Sequence, residues 1–75
     1  MLGGVVMKIG TVFEHKHWLR DDGTKRKLLC IVTSKSRGAI YWKEWDEATG
    51  EKVGKSLSFH ESETDRYVGK VVAEP

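Results

Sequence analysis

The sequence contains one cysteine, one proline and no long hydrophobic run. A single cysteine cannot form an internal disulfide, which excludes the disulfide-stabilised miniproteins that are common among small secreted chains. The longest apolar run covers residues 28–32, whereas a helix needs about 20 apolar residues to cross a bilayer. The N-terminus also lacks the basic and long apolar segments of a signal peptide. Together these absences predict a cytoplasmic chain with no membrane partner.

Catalytic motifs are equally scarce. The sequence contains no Gly-rich phosphate loop and no Gly-x-Ser-x-Gly nucleophile motif. Cys30 lies within the apolar run, which predicts a buried and unreactive thiol. A chain of 75 residues forms a thin core, whereas ligand pockets need about 300 Å³ or more of enclosed space. We therefore expect no enzyme, no catalytic residues and no cofactor.

The sequence contains one closely spaced histidine pair, His15 and His17, that could bind a metal ion. Residues two apart share one face of a strand, and Cys30 and His60 would have to complete a zinc site. Structural zinc sites normally draw a close pair of ligands from each of two segments, and only one pair is present here. The sequence therefore favours histidines on a solvated strand face over a metal site.

The apolar residues that are present follow strand-like patterns. Five segments are rich in β-branched, aromatic or alternating residues: 8–18, 28–33, 39–45, 53–59 and 67–72. The polar stretch before Gly38 predicts a β-hairpin in which Gly38 has a positive φ, and Asp22-Gly23 and Gly50 predict further turns. Residues 60–66 suit one short helical turn capped by Ser62 or Thr64.

Five short strands, a long first loop and a short turn before the last strand resemble an SH3-like small barrel, in the broad sense that includes Tudor and KOW-type modules. The resemblance covers residues 8–72. It implies an all-β fold, a five-stranded antiparallel barrel with one short 3₁₀ turn before the last strand. The predicted domain covers residues 8–75 and follows a flexible extension of residues 1–7, with Met7 as an alternative start. An OB-like barrel is the alternative, but it usually has a helix between its third and fourth strands, and the sequence predicts none there.

Seven aromatic residues are more than one small core needs. In the third strand Ile40 and Trp42 share one face, while Tyr41 and Trp45 share the other. We predict that Ile40 and Trp42 face inward, and the opposite orientation stays open. Trp18 ends the first strand and is expected at the rim of the barrel. Exposed Trp and Tyr side chains are typical of binding surfaces.

The net charge of +2 conceals an uneven distribution. Residues 1–43 carry nine basic and three acidic side chains, and residues 44–75 carry four basic and eight acidic ones. The candidate binding residues are ten basic and aromatic side chains between positions 16 and 45: Lys16, Trp18, Arg20, Lys25, Arg26, Lys27, Lys35, Arg37, Tyr41 and Trp45.

Two functions fit this pattern. The first is a module that binds DNA or RNA by phosphate contacts and base stacking. The second is a protein-interaction module or small inhibitor, of the kind carried by phages or plasmids, whose charges steer a protein partner. In both cases we expect a monomer or a weak homodimer.

Overall fold

The computed structural model describes residues 7–75, in which hydrogen bonds link five antiparallel strands into one sheet. The strands are β1 (Val12–Leu19), β2 (Lys27–Ser36), β3 (Ala39–Asp46), β4 (Glu51–His60) and β5 (Val68–Ala73). A 3₁₀ turn (Glu61–Glu63) and the one-turn helix α1 (Thr64–Tyr67) connect β4 to β5. This architecture confirms the predicted all-β class and the single short turn before the last strand.

The strand order is β4-β3-β2-β1-β5, which makes β4 and β5 the two edges of the sheet. This arrangement is compatible with a small barrel. A turn of residues 47–50 joins β3 to β4, at the place where the OB-like alternative would have a helix.

The main hydrophobic cluster of the core includes Phe13, which is fully buried. Val12, Leu29 and Ile31 are also buried but lie outside this cluster. The Phe13 ring contacts Trp42 and Phe59 edge-on, with centroid distances of 6.1 and 6.3 Å. Such edge-to-face pairs are favourable because the positive ring edge meets the negative ring face. Ile40 and Trp42 are 2% and 4% exposed, so the predicted inward face of the third strand is correct.

The first strand begins later than predicted. Residues 8–11 form a turn, in which the Thr11 amide donates to the Lys8 carbonyl (3.0 Å) and Gly10 has a φ of +95°. A positive φ at the third position of a turn favours glycine, which is why β1 starts only at Val12. Met7, assigned to the flexible extension, is instead buried in the core. The remainder of that extension, residues 1–6, lies outside the described residues.

The apolar alternation predicted for the fourth strand holds for the face but only in part for burial. Leu57 and Phe59 lie opposite Trp42 and Ile40, so they share the core face of β3. The bulge of residues 54–56, which contains Gly54 at a φ of +79°, adds two residues to β4 and so keeps Val53 on that face. Only Phe59 is buried, and Val53 and Leu57 are each 40% exposed because β4 is an edge strand.

The cap of the 3₁₀ turn also differs from the prediction. His60 provides it, because its Nδ1 accepts the Ser62 amide at 3.2 Å. Neither Ser62 nor Thr64 is the cap, and the Thr64 hydroxyl donates to the Glu61 carbonyl at 2.7 Å. An imidazole nitrogen with a free lone pair thus accepts the backbone hydrogen bond that the expected hydroxyl would have accepted.

The β2–β3 hairpin is tighter than the sequence indicated. Its loop is the pair Arg37-Gly38, with φ values of +52° and +82°. Positive φ at both loop positions matches the right-handed twist of the flanking strands. Gly38 has a second constraint, because a Cβ atom there would lie 2.8 Å from Nε2 of His60.

We expect Gly38→Ala to destabilise the fold more than Gly23→Ala. Gly23 has a similar φ of +78° but open space around it, so it is a matched control for backbone strain alone. A left-handed alanine costs about 1–2 kcal/mol, and the clash with the capping His60 adds about 1–3 kcal/mol. Urea unfolding of both variants measures the difference. Equal losses in the free energy of unfolding of the two variants would show that the contact with His60 adds nothing to the cost of the substitution.

Candidate binding site

A cleft of about 190 Å³ opens between β1, the end of β4 and α1. Aromatic rings form most of its wall, and we call it the aromatic cleft. Its lining residues are His15, Trp18, Trp42, Leu57, Ser58, Phe59 and Tyr67. Trp18 and Leu57 are 46% and 40% exposed, so they form the accessible rim, while His15, Trp42 and Phe59 form the buried floor.

The floor of the cleft depends on an irregular stretch of β1. Residues 15–18 lie opposite Leu28 alone, so β1 bulges away from β2. His15 holds this bulge, because its Nδ1 accepts the backbone amides of His17 and Trp18, each at 3.1 Å. The resulting turn lays the Trp18 ring over the imidazole, with centroids 4.4 Å apart and planes 10° apart.

These contacts define the protonation state of His15. Nδ1 accepts two hydrogen bonds, so the ring proton of the neutral imidazole is on Nε2. Burial lowers the pKa of His15 below its usual value, and the nearby charges of His17 and Lys27 lower that pKa further. The imidazole is therefore neutral at pH 7, and the floor of the cleft is uncharged.

Two side chains tie the bulge to α1. Nζ of Lys16 donates to the Asp65 carbonyl and Nε2 of His17 donates to the Arg66 carbonyl, both at 2.9 Å. Lys27 adds a third contact, because its Nζ donates to the Lys16 carbonyl at 2.9 Å. Lys16 and Lys27 were predicted as binding residues, and in the structure each donates a hydrogen bond to a backbone carbonyl next to the cleft.

The histidine pair does not form a metal site. The bulge buries His15 and leaves His17 exposed, and their ring centroids are 6.1 Å apart. His15 Nδ1 and His17 Nε2 both have backbone partners. Within residues 7–75, no group of three or more His, Cys, Asp or Glu side chains is arranged to hold a metal ion.

The remaining basic candidates converge only in part. Arg20, Arg26 and Lys27 line a groove of about 310 Å³, in which Nη2 of Arg20 lies 2.8 Å from Oε1 of Glu47. Lys35 and Arg37 are exposed around the β2–β3 hairpin, at the opposite end of the sheet from this groove. The two basic loops therefore do not form one patch.

The two outward aromatics of β3 are half-buried and lie away from the aromatic cleft. Trp45 lines a second depression, of about 230 Å³, beside Arg20. Its other lining residues are all acidic: Asp21, Asp22, Glu44, Asp46 and Glu47. Tyr41 lines neither depression. Of the predicted aromatic candidates, only Trp18 contributes to the aromatic cleft.

Sequence reasoning missed most of the cleft. His15 was assigned to a solvated face, and Leu57, Phe59 and Tyr67 were read only as parts of strands. No local pattern marks them, because the bulge in β1 brings His15 beneath Trp18 and the chain returns through α1 to place Tyr67 opposite Phe59 (5.4 Å between centroids).

Cys30 occupies the position predicted for it. The side chain is fully buried, and this burial, together with the charge of Glu44, raises the pKa of the thiol to about 12. A thiol with that pKa carries negligible thiolate at pH 7, and the thiolate is the nucleophilic form.

Comparisons with protein-family models, with curated proteins and with solved structures found no match to this chain. Among the residues that the structure describes, no helix has the length and apolar character needed to cross a membrane.

We expect the free energy of unfolding to fall as the pH drops from 7 to 5. The folded state lowers the pKa of His15, so the unfolded chain binds the proton first, and stability present above the unfolded pKa of about 6.5 is lost as the pH falls through the folded pKa. The charges facing this ring are those of His17 and Lys27, and Tyr67 packs against it.

Urea unfolding at pH 7, 6 and 5 checks this expectation against a His15→Asn variant. Asparagine keeps an acceptor near the position of Nδ1 but does not titrate. The variant should be less stable at pH 7 and should have a flatter pH profile than the wild type. Identical profiles would assign the pH dependence to other groups.

Proposed function

We propose that the chain is a non-enzymatic binding module of the SH3-like barrel type that anchors an apolar side chain of a protein partner in its aromatic cleft. The observation that carries the proposal is the composition of the cleft wall. Five rings and one leucine surround a cleft whose rim is open to solvent. Apolar and aromatic pockets of this kind anchor the side chains that contribute most to protein–protein affinity.

The sheet order supports the SH3-like type. β5 returns to pair with β1 after a short helical turn, and the other strands follow one another as hairpins. These are the strand count and connection lengths on which the resemblance was based. Function is argued from the cleft and not from the fold, since one fold serves many functions.

The charges support a protein partner over a nucleic acid. Phosphate recognition needs Lys or Arg side chains, or free backbone amides, close to the stacking rings. Among the described residues, none with a formal charge at pH 7 lines the aromatic cleft. Asp21 and Asp22 flank the paired Arg20 and would repel a phosphate backbone.

Photo-crosslinking from the rim of the cleft tests the proposal. A photoreactive phenylalanine analogue replaces Leu57 in the full chain, and a matched variant carries it at Leu19, which is 52% exposed and lies outside the cleft. In cells that naturally produce the chain, we expect one crosslinked protein from position 57 and none above background from position 19.

Competition makes this experiment specific. Unlabelled wild-type chain should suppress the crosslink, and a Trp18→Ala variant should compete at least about tenfold less well, because loss of an aromatic ring from the wall of an anchoring cleft costs more than about 1 kcal/mol. Equal crosslinking from both positions, or crosslinking to nucleic acid alone, would count against a protein-anchoring cleft.

Nucleic acid is the second candidate, and one observation favours it. Lys25 and Arg26, in the loop that follows the strand carrying Trp18, and Lys27, the first residue of β2, are consecutive and exposed. Three phosphate contacts beside an exposed indole would suit weak, sequence-independent binding of a single strand.

If this second function operates, fluorescence anisotropy with a labelled single-stranded oligonucleotide should show binding that weakens with salt. Each phosphate contact contributes about −0.7 to the slope of log affinity against log salt. Lys25→Glu should make that slope shallower, whereas Lys35→Glu, at the opposite end of the sheet, should leave it unchanged. An absence of binding at low salt would eliminate this candidate.

A further inference from the structure

We propose that the partner is an extended peptide segment that adds to the free edge of β4 as a sixth strand. This inference rests on the proposed function, since the same aromatic cleft receives an apolar side chain of that segment. It adds the conformation of the ligand, its position on the sheet and the charge of the residue next to the anchor.

The free edge and the cleft are continuous. β4 is a terminal strand of the sheet and, among residues 7–75, pairs only with β3. In an antiparallel pair, alternate residues direct their N–H and C=O groups away from the partner strand. Leu57, Ser58 and Phe59 line the cleft, and alternate residues of this same stretch direct backbone groups to the open edge.

α1 does not close this edge with strand hydrogen bonds. The helix packs against β1, β4 and β5, and Tyr67 meets Phe59 with centroids 5.4 Å apart. A peptide lying along β4 would thus place alternate side chains toward the cleft, between the rim residues Trp18 and Leu57. Strand addition uses main-chain hydrogen bonds for affinity and such a pocket for specificity.

The charge of the edge defines the flank of the ligand. Lys52 and Lys55 are exposed on β4 and make no ion pair within the described part of the chain. Lys55 lies two residues before Leu57, within the bulge of residues 54–56, so a strand paired with β4 through Leu57 passes close to Lys55. An Asp or Glu two or three positions from the anchor, the range that the bulge allows, is complementary to this surface.

The same lysines disfavour a second copy of the chain as the occupant. Antiparallel self-pairing of β4 centred on Lys55 would place the two Lys55 side chains directly opposite each other. Exposed lysines and bulges on edge strands are recognised devices against such self-association. The bulge at Gly54 further interrupts a flat ten-residue edge.

Selection from a displayed library of random nine-residue peptides against the full chain tests the inference. We expect the enriched peptides to share an apolar or aromatic residue with Asp or Glu two or three positions away. Binding of the synthetic peptides should slow amide exchange at alternate residues of 57–60. Lys55→Glu should weaken them about fivefold or more, because it opposes like charges at the edge, whereas Lys70→Glu, on β5, should not.

N-methylation of the peptide tests more directly whether its backbone pairs with β4. Methyl groups placed on successive peptide amides should weaken binding with a period of two, because only alternate amides pair with β4. Binding that needs Trp18 but shows neither this period nor slowed exchange in β4 would overturn strand addition and leave the proposed function standing.

Two other outcomes also overturn the inference. One is a library that yields no Trp18-dependent peptide, and the crosslink from position 57 then decides the proposed function separately. The other is a concentration-dependent dimer with protected β4 amides, which would make a second copy the occupant.

Discussion

One imidazole nitrogen determines the shape of the aromatic cleft. Nδ1 of His15 accepts two successive backbone amides and so fixes the bulge of β1. The bulge orients Trp18 over His15, places Lys16 and His17 against α1, and thereby sets the distance from β1 to Tyr67. A charged imidazole would donate from this nitrogen and accept nothing. The shape of the cleft therefore requires a neutral His15.

The sequence was sufficient for the fold class and not for the site. Alternating and β-branched runs identified all five strands, and Ile40 and Trp42 were assigned to the correct face because two-residue periodicity survives along β3. It failed where the backbone is irregular and where a strand lies at the edge of the sheet. The turn at Gly10 shortened the first strand, and the edge position of β4 left Val53 and Leu57 partly exposed. The cleft was missed because His15 lies in the most irregular stretch of β1.

The sheet topology brings basic residues of the first part of the sequence close to acidic residues of the second part. A basic first part and an acidic second part suggested two faces of opposite sign. Antiparallel hairpins bring the β1–β2 loop and the β3–β4 turn to the same end of the sheet, where Arg20 pairs with Glu47. Charges that are separate along the chain are thus mixed in space, whereas none of the described residues that line the aromatic cleft carries a formal charge at pH 7.

The buried thiol has a practical consequence. Cys30 is the only cysteine, and it lies in the central strand β2 with no exposed surface. A thiol reagent can reach it only when the sheet opens, so the rate of labelling reports how often the core is exposed. The labelling rate of Cys30 thus measures the opening of the sheet, and any partner that adds a strand to the sheet should lower this rate.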